Sequence, residues 1–160
     1  MFIRQANEDE MLALWKETAK NKRPTTAFFY ENIKNNNANF WTYDDDDKLA
    51  GELYVFKSLD DKDFANGKDR AYLCAFRITE ELRGKGYGTK LISHVINYLR
   101  NEGIKTVTIG IDETEEANLR LYHRLGFLEK IKDCYADPCD VDENMQAKSC
   151  SKYILLKREL

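Results

Sequence analysis

The sequence predicts an α/β fold in which helices pack on a sheet with at least some parallel pairing. Two observations lead there. From Asp69 onward, segments of strand and helix character alternate as strand–helix–strand–helix–strand, the order that brings parallel strands together through helical crossovers. In addition, the stretch RITEELRGKGYGTKL, Arg77–Leu91, sets Gly84, Gly86 and Gly88 at the mouth of an amphipathic helix, among the cations Arg83, Lys85 and Lys90. Glycine and proline are otherwise sparse, with no linker and no internal repeat, so residues 1–160 read as one domain.

Each element has a local reason. FIRQA opens as a short strand, and helical stretches follow around Glu8–Thr18 and Thr25–Lys34. Pro24 separates the two, because its ring and missing N–H suit a helix start and not an interior. NFWTYD and LAGELYVFKSL read as strands joined by a solvated turn at Asp44–Lys48. In DRAYLCAFRI, Asp69–Ile78, the side chains of Tyr72, Cys74, Phe76 and Ile78 alternate onto one face of a strand. The helix after the glycines carries Leu91, Ile92, Val95, Ile96 and Leu99 on one stripe and ends at Gly103, a residue suited to the left-handed C-terminal cap. TVTIGID is a strand, EEANLRLYHRL a helix, GFLEKI a strand and YILLKREL a last strand. The segment DCYADPCDVDENMQAKSC before that last strand reads as a loop, long for a hairpin.

Composition narrows the function classes. Apolar residues at 42% and charged residues at 33% describe a globular chain, and a net charge of −3 argues against general nucleic-acid binding. No apolar run reaches the length of a membrane span, and MFIRQANEDEML lacks the apolar core of a signal peptide, so a cytoplasmic protein is expected. Cys74, Cys134, Cys139 and Cys150 then read as reduced thiols. Three of them fall between Cys134 and Cys150, but without a C-x-x-C pair or a nearby histidine they predict no metal site.

A strand, a glycine-rich turn and a helix start together make a site for an anion. The first N–H groups of a helix lack intrahelical partners, the peptide dipoles place partial positive charge there, and glycines let a phosphate approach the backbone. The spacing does not fit a Walker-type loop, nor the G-x-G-x-x-G of a dinucleotide site. What remains is Arg83-x-x-Gly86-x-Gly88, unless the glycines only cap the helix. That spacing resembles the acyl-CoA-binding signature of the GNAT superfamily of N-acyltransferases, R/Q-x-x-G-x-G/A. The later order is similar too: a helix, a strand, and a second helix with Tyr122 four residues before Gly126-Phe127. One departure is Glu115, where many members carry asparagine; here Asn118 stands four residues before the tyrosine.

The resemblance implies a mixed, mostly antiparallel sheet flanked by helices, with a splayed parallel pair at Tyr72–Ile78 and Thr106–Ile111. It implies acetyl-CoA as cofactor, its pyrophosphate held by Arg83, Gly84, Lys85, Gly86, Tyr87, Gly88 and Thr89. The strand around Phe76, Arg77 and Ile78 would pair with the pantetheine amides, Asn118 would face the same cofactor, and Tyr122 would be general acid for the CoA thiolate. Gly110 marks either close approach by a ligand or a bulge. For the general base, Glu52 competes with a water chain, and an exposed strand carboxylate is the plainer reading of it; His94 and His123 read as surface residues. Two classes stay open: an N-acetyltransferase, or a non-catalytic acyl-CoA-binding sensor or assembly module. The acceptor would be a small-molecule or peptide amine, and the protein a monomer or homodimer. Asp133, Asp137, Asp140, Asp142 and Glu143 would favour a polycationic acceptor, unless they are only a solvated face.

Overall fold

Asn7 decides where the chain first becomes helical. Its side chain accepts from the Glu10 amide at 2.9 Å while the Glu10 carboxylate accepts from the Asn7 amide at 3.0 Å, a reciprocal cap. In the computed structural model, which describes residues 1–160, this cap joins β1 (Phe2–Ala6) to α1 (Glu8–Leu14). The helix stops short of Thr18 because Lys16 adopts a left-handed φ of 58°. Pro24 is the first residue of α2 (Pro24–Lys34). The Arg23 side chain provides no cap; the Glu17 carboxylate accepts from the Arg23 amide at 2.8 Å instead.

The remaining elements are β2 (Ala38–Asp45), β3 (Lys48–Leu49), β4 (Gly51–Phe56), β5 (Arg70–Ile78), α3 (Tyr87–Asn101), β6 (Thr106–Ile111), α4 (Glu116–Arg124), β7 (Glu129–Val141) and β8 (Ala147–Glu159). The aspartate run does form a turn: Asp46 and Asp47 take φ of 51° and 68° between β2 and β3. The sheet runs β1-β2-β4-β5-β6-β8-β7, with β3 beside β2. Only β5 and β6 are parallel, so the mixed, mostly antiparallel sheet with helices on both faces is the architecture present. No helix is long and apolar enough to cross a membrane.

Each sheet face has its own apolar layer. On one, Leu91, Ile92, Val95, Ile96 and Leu99 of α3 pack with Leu53 and Val55 of β4 and with Tyr122 and Phe127. Full burial of such aliphatic side chains is worth about 1.5–3 kcal/mol each before entropy is counted. On the other, Met11 and Leu12 of α1 and Phe29 of α2 cover Tyr54, Phe56 and Tyr72.

Two expectations are corrected. Tyr72, Cys74, Phe76 and Ile78 do not share a face. Tyr72 and Cys74 face α1 and α2, whereas Phe76 and Ile78 pack on the α3 side. The cause is a bulge. Glu52 pairs with Arg77 and Tyr54 with Cys74, so two residues of β5 oppose the single Leu53, and Ala75 takes a φ of 50° to fit. The Asp133–Cys150 segment is likewise no long loop. It extends β7 and β8 as a hairpin to Val141↔Ala147, and its tip is closed by Asp142, which accepts from the amides of Asn144 and Gln146 at 2.8 and 3.0 Å. Register shifts take up the irregular composition, one of them spanning Pro138, which sits on the edge strand.

Candidate active site

The parallel pair is a short seam. Pairing runs from Arg70↔Thr106 to Leu73↔Ile109 and stops, while β5 continues to Ile78 and β6 to Ile111. The two strands stop pairing, and beyond Leu73 β5 presents a backbone edge not paired to β6. The bulge at Ala75 lies where the parting begins.

At the end of β5 the glycines divide their roles. Gly84 and Gly86 have φ of 74° and 86°, and a Cβ at either would meet nothing within 4 Å. They are needed for backbone conformation, and the turn above them is open. Gly88 differs: its Cβ would fall 2.9 Å from Cζ of Phe76, so it seats α3 against β5. Gly86 caps α3 without a side-chain bond, which leaves the amides of Tyr87, Gly88 and Thr89 facing outward at the positive end of a 15-residue helix. Arg83 and Lys85 shape this turn as well as charging it, for Arg83 Nε donates to the Ile78 carbonyl and Lys85 Nζ to that of Glu81, both at 2.9 Å. Tyr87 packs edge-on against Tyr43, whose hydroxyl donates to the Tyr87 carbonyl at 2.8 Å.

Tyr122 of α4 stands on the α3 side of the sheet, 9% exposed, with its ring edge-on to Phe127 at 6.2 Å. Burial and then the charge of Glu115 push its phenol up to about 12. Asn118, one turn earlier, is exposed, and its amide donates to Glu115 at 2.6 Å. The helix thus brings Asn118 and Tyr122 onto neighbouring turns, but buries only the tyrosine.

On the opposite face lies a cavity of about 700 Å³ between α1, α2, β5 and the β7–β8 hairpin. Here the reading of Glu52 as an exposed strand carboxylate is overturned: it is 7% exposed and lines this cavity. Its Oε1 accepts from Trp15 Nε1 at 2.6 Å and from the Tyr54 hydroxyl at 2.8 Å. Burial, followed by Glu52 itself, pushes the Tyr54 phenol well up, so it remains a donor to that carboxylate. The bulge turns the Arg77 side chain into the same cavity, away from the glycine turn. Arg77 thus shares with Phe76 and Ile78 only the backbone edge, not a side-chain role toward the turn.

The acidic segment is broken up. Asp133 pairs with Lys130 at 2.7 Å, Asp142 closes the hairpin tip, and Asp140 accepts from Thr25 at 2.7 Å with Lys148 at 3.6 Å. Asp137 reaches the cavity, where burial pushes its carboxyl up. Arg23, Arg77 and Lys148 line the same cavity, so its charge is mixed and does not single out a polycation.

Gly110 is not at a bulge, the second of its two expected roles. A Cβ there would lie 2.8 Å from the Tyr153 ring, while the β6–β8 register passes Gly110↔Leu155 without a shift. The glycine makes room for Tyr153, whose hydroxyl donates to the Ala136 carbonyl at 2.7 Å and braces the hairpin. His94 and His123 are exposed, as expected. The cysteines are unpaired, with Cys74 and Cys139 in the cavity wall. Trp15 was missed from sequence; an aromatic just past a short amphipathic helix looks like ordinary core, and only its bond to Glu52 sets it apart.

Comparison with known proteins agrees with this architecture. Residues 3–127 match the Acetyltransferase (GNAT) family. The chain is 28% identical over 99 residues to "Probable N-acetyltransferase camello" of Xenopus laevis, covering 62% of this chain and 42% of that protein. It is 33% identical over 58 residues to "N-alpha-acetyltransferase 30" of Schizosaccharomyces pombe, covering 36% and 39%. The chain thus spans less than half the length of these relatives. Among solved structures, the ribosomal-protein-alanine N-acetyltransferase from Brucella melitensis superposes with a TM-score of 0.69 at 15% identity over 100% of both chains. A GNAT family acetyltransferase from Elizabethkingia anophelis with acetyl-CoA bound gives 0.65 at 18% identity, over 99% of this chain and 97% of that one. At such identities the likeness is one of fold. The family match over most of the sequence carries more, and by it this chain belongs to the GNAT acetyltransferase family.

Proposed function

We propose that the chain is an acetyl-CoA-dependent N-acetyltransferase acting on an amine seated in the Glu52 cavity. One observation carries this reading: where β5 stops pairing with β6, it leads on one face toward an anion-ready turn and a buried tyrosine, and on the other its residues Cys74, Ala75 and Arg77 line a cavity floored by a carboxylate. The residues fit the cofactor. The open turn of Arg83–Thr89 would hold a pyrophosphate, and the free edge of β5 around Phe76–Ile78 would pair with a peptide-like arm as an added strand does. When bound, acetyl-CoA supplies the acyl thioester.

Glu52 is the proton acceptor in this reading, a role the residues alone left open. It takes a proton from the incoming ammonium, freeing the nitrogen lone pair for attack on the acyl carbon. As the carbon–nitrogen bond forms and the carbon–sulfur bond breaks, Tyr122 donates toward the sulfur. A phenol near 12 holds its proton more tightly than a thiol of ~8.5. Its contribution as acid therefore lies chiefly in a hydrogen bond to the developing thiolate. Asn118 joins the cofactor site only by leaving Glu115. A non-catalytic acyl-CoA sensor on the same fold would keep Glu52 as the acceptor for Trp15 and Tyr54 but would have no need of a donor at the sulfur, which is what Tyr122 supplies in the enzyme reading.

The test is a thermal melt with CoA, ATP and NAD in parallel. CoA at a hundred times its dissociation constant adds about 2.7 kcal/mol, or ~5–11 °C for a chain of this size. Gly86→Val should remove the CoA shift, because φ of 86° is strained for any branched side chain. A shift with ATP or NAD and none with CoA would refute the reading.

A further inference from the structure

Two opposite charges meet at the floor of the cavity, and neither is fully answered by the protein. Both donors to Glu52 reach the same oxygen, Oε1. The other oxygen, Oε2, has Arg77 Nη1 only at 3.8 Å, an ion pair too long to be a hydrogen bond. The Arg77 guanidinium is 61% exposed and stands 5.8 Å from the centre of the Trp15 ring, so its fork of donors is open to the cavity. The two residues face each other in register across β4 and β5.

On the acetyltransferase reading above, we infer that Glu52 and Arg77 together select a free α-amino acid with an apolar side chain as the acceptor. Glu52 Oε2 receives the α-ammonium and Arg77 receives the α-carboxylate. In an α-amino acid these two groups share a single carbon, so their partners must also lie side by side, as this carboxylate and guanidinium do. A planar guanidinium matches a carboxylate through two parallel hydrogen bonds, which a point-like ammonium cannot do. Trp15, Phe29 and Leu14 form the apolar part of the wall, against which the amino acid's side chain would lie. Two rivals fit less well. The N-terminus of a protein carries its carbonyl in a neutral amide, which leaves Arg77 unanswered. A polyamine could meet Glu52 but carries no carboxylate, so it too leaves Arg77 unanswered in a cavity whose charge is mixed.

The acid–base step is the one already given, so the atoms balance without a further reagent: one ammonium proton passes to Glu52, nitrogen bonds to the acyl carbon as the carbon–sulfur bond breaks, and the second proton that nitrogen sheds on becoming an amide goes to the thiolate hydrogen-bonded by Tyr122, so that CoA leaves as the thiol.

The experiment measures kcat/KM with acetyl-CoA for phenylalanine, leucine and methionine, each against its amide and its decarboxylated amine, with spermidine and a short free-N-terminal peptide alongside. The expected result is a preference of roughly 10–100-fold for the amino acid over its amide, the range set by a hydrogen bond to a charged group. It should be expressed mainly in KM. Arg77→Gln should bring acid and amide to the same kcat/KM, and Arg77→Lys should restore part of the difference. Equal use of acid and amide by the unmutated protein, or preference for the peptide or spermidine, overturns the inference and leaves the acetyltransferase reading standing. Acetylation of none of these amines overturns both.

Discussion

Replacing Glu52 by glutamine and by alanine separates its chemistry from its place in the fold. Because one oxygen accepts from both Trp15 and Tyr54, a glutamine with its carbonyl oxygen in that position keeps both donors satisfied. What it loses is the charge and the 3.8 Å pairing with Arg77, which is well exposed. Such a pair is worth about 0–1 kcal/mol. Glu52→Gln should therefore melt within about 4 °C of the unmutated protein. Alanine removes the acceptor and strands the buried Tyr54 hydroxyl and the half-buried Trp15 N–H, at about 1–3 kcal/mol each. The resulting ~2–6 kcal/mol lowers Tm by roughly 4–24 °C. Catalysis should order the variants differently. Both lack a proton acceptor, so kcat should fall by ~10²–10⁴ in each. Differential scanning fluorimetry and a thiol-release assay on the same samples give the two readouts. Glutamine with undiminished kcat would refute Glu52 as proton acceptor; glutamine as unstable as alanine would refute the shared-oxygen geometry.

Tyr122→Phe should lower kcat by ~10² or more with little change in CoA affinity, as for loss of one donor to a developing anion. Because the phenol stays protonated up to about 12, the pH–rate profile should show no alkaline fall due to Tyr122 below ~11; equal turnover by the phenylalanine variant would reduce the residue to packing. Glu17 gives a stability test. Burial opposes its ionisation, but hydrogen bonds from the Arg23 side chain, Thr26 and the Arg23 amide outweigh that and bring it down to about 2 from 4.5. A carboxyl lowered on folding stabilises the protein above its unfolded value, and that part is lost as pH falls from ~4.5 toward ~2. Glu17→Gln should flatten the acid limb of urea-unfolding stability over that window, and an unchanged limb would sink the assignment.

What could be read directly from the chain was whatever depends on near neighbours in sequence. The α3 stripe, the cap at Gly103, the turn at Gly84–Gly86 and the Tyr122–Gly126-Phe127 spacing are all local, and the order of these motifs led to the family. Ala75 shows the opposite case. An alanine forced into positive φ has no local signature, since the strain is imposed by the β4 register, and with it went the facing of Phe76 and Arg77. The hairpin was hidden because aspartate, proline and asparagine write turn chemistry into residues that long cross-strand pairing holds as β-structure. Glu52 was misjudged because burial of a carboxylate depends on distant donors, here Trp15 and Tyr54, that spacing cannot bring together.

The seam of four residue pairs between β5 and β6 has a consequence for how a ligand could enter. Beyond Leu73↔Ile109 the strands were never zipped together, so a guest that lies along the free edge of β5 breaks no backbone ladder on arrival and leaves no torn edge on departure. The unpaired edge is part of the ground state, held by helices packed on either side of the sheet. Affinity is then not diminished by the work of prying strands apart, and exchange between spent and fresh ligand needs no partial unfolding. On the reading proposed above, a site that releases CoA after every turnover would gain speed from strands already parted.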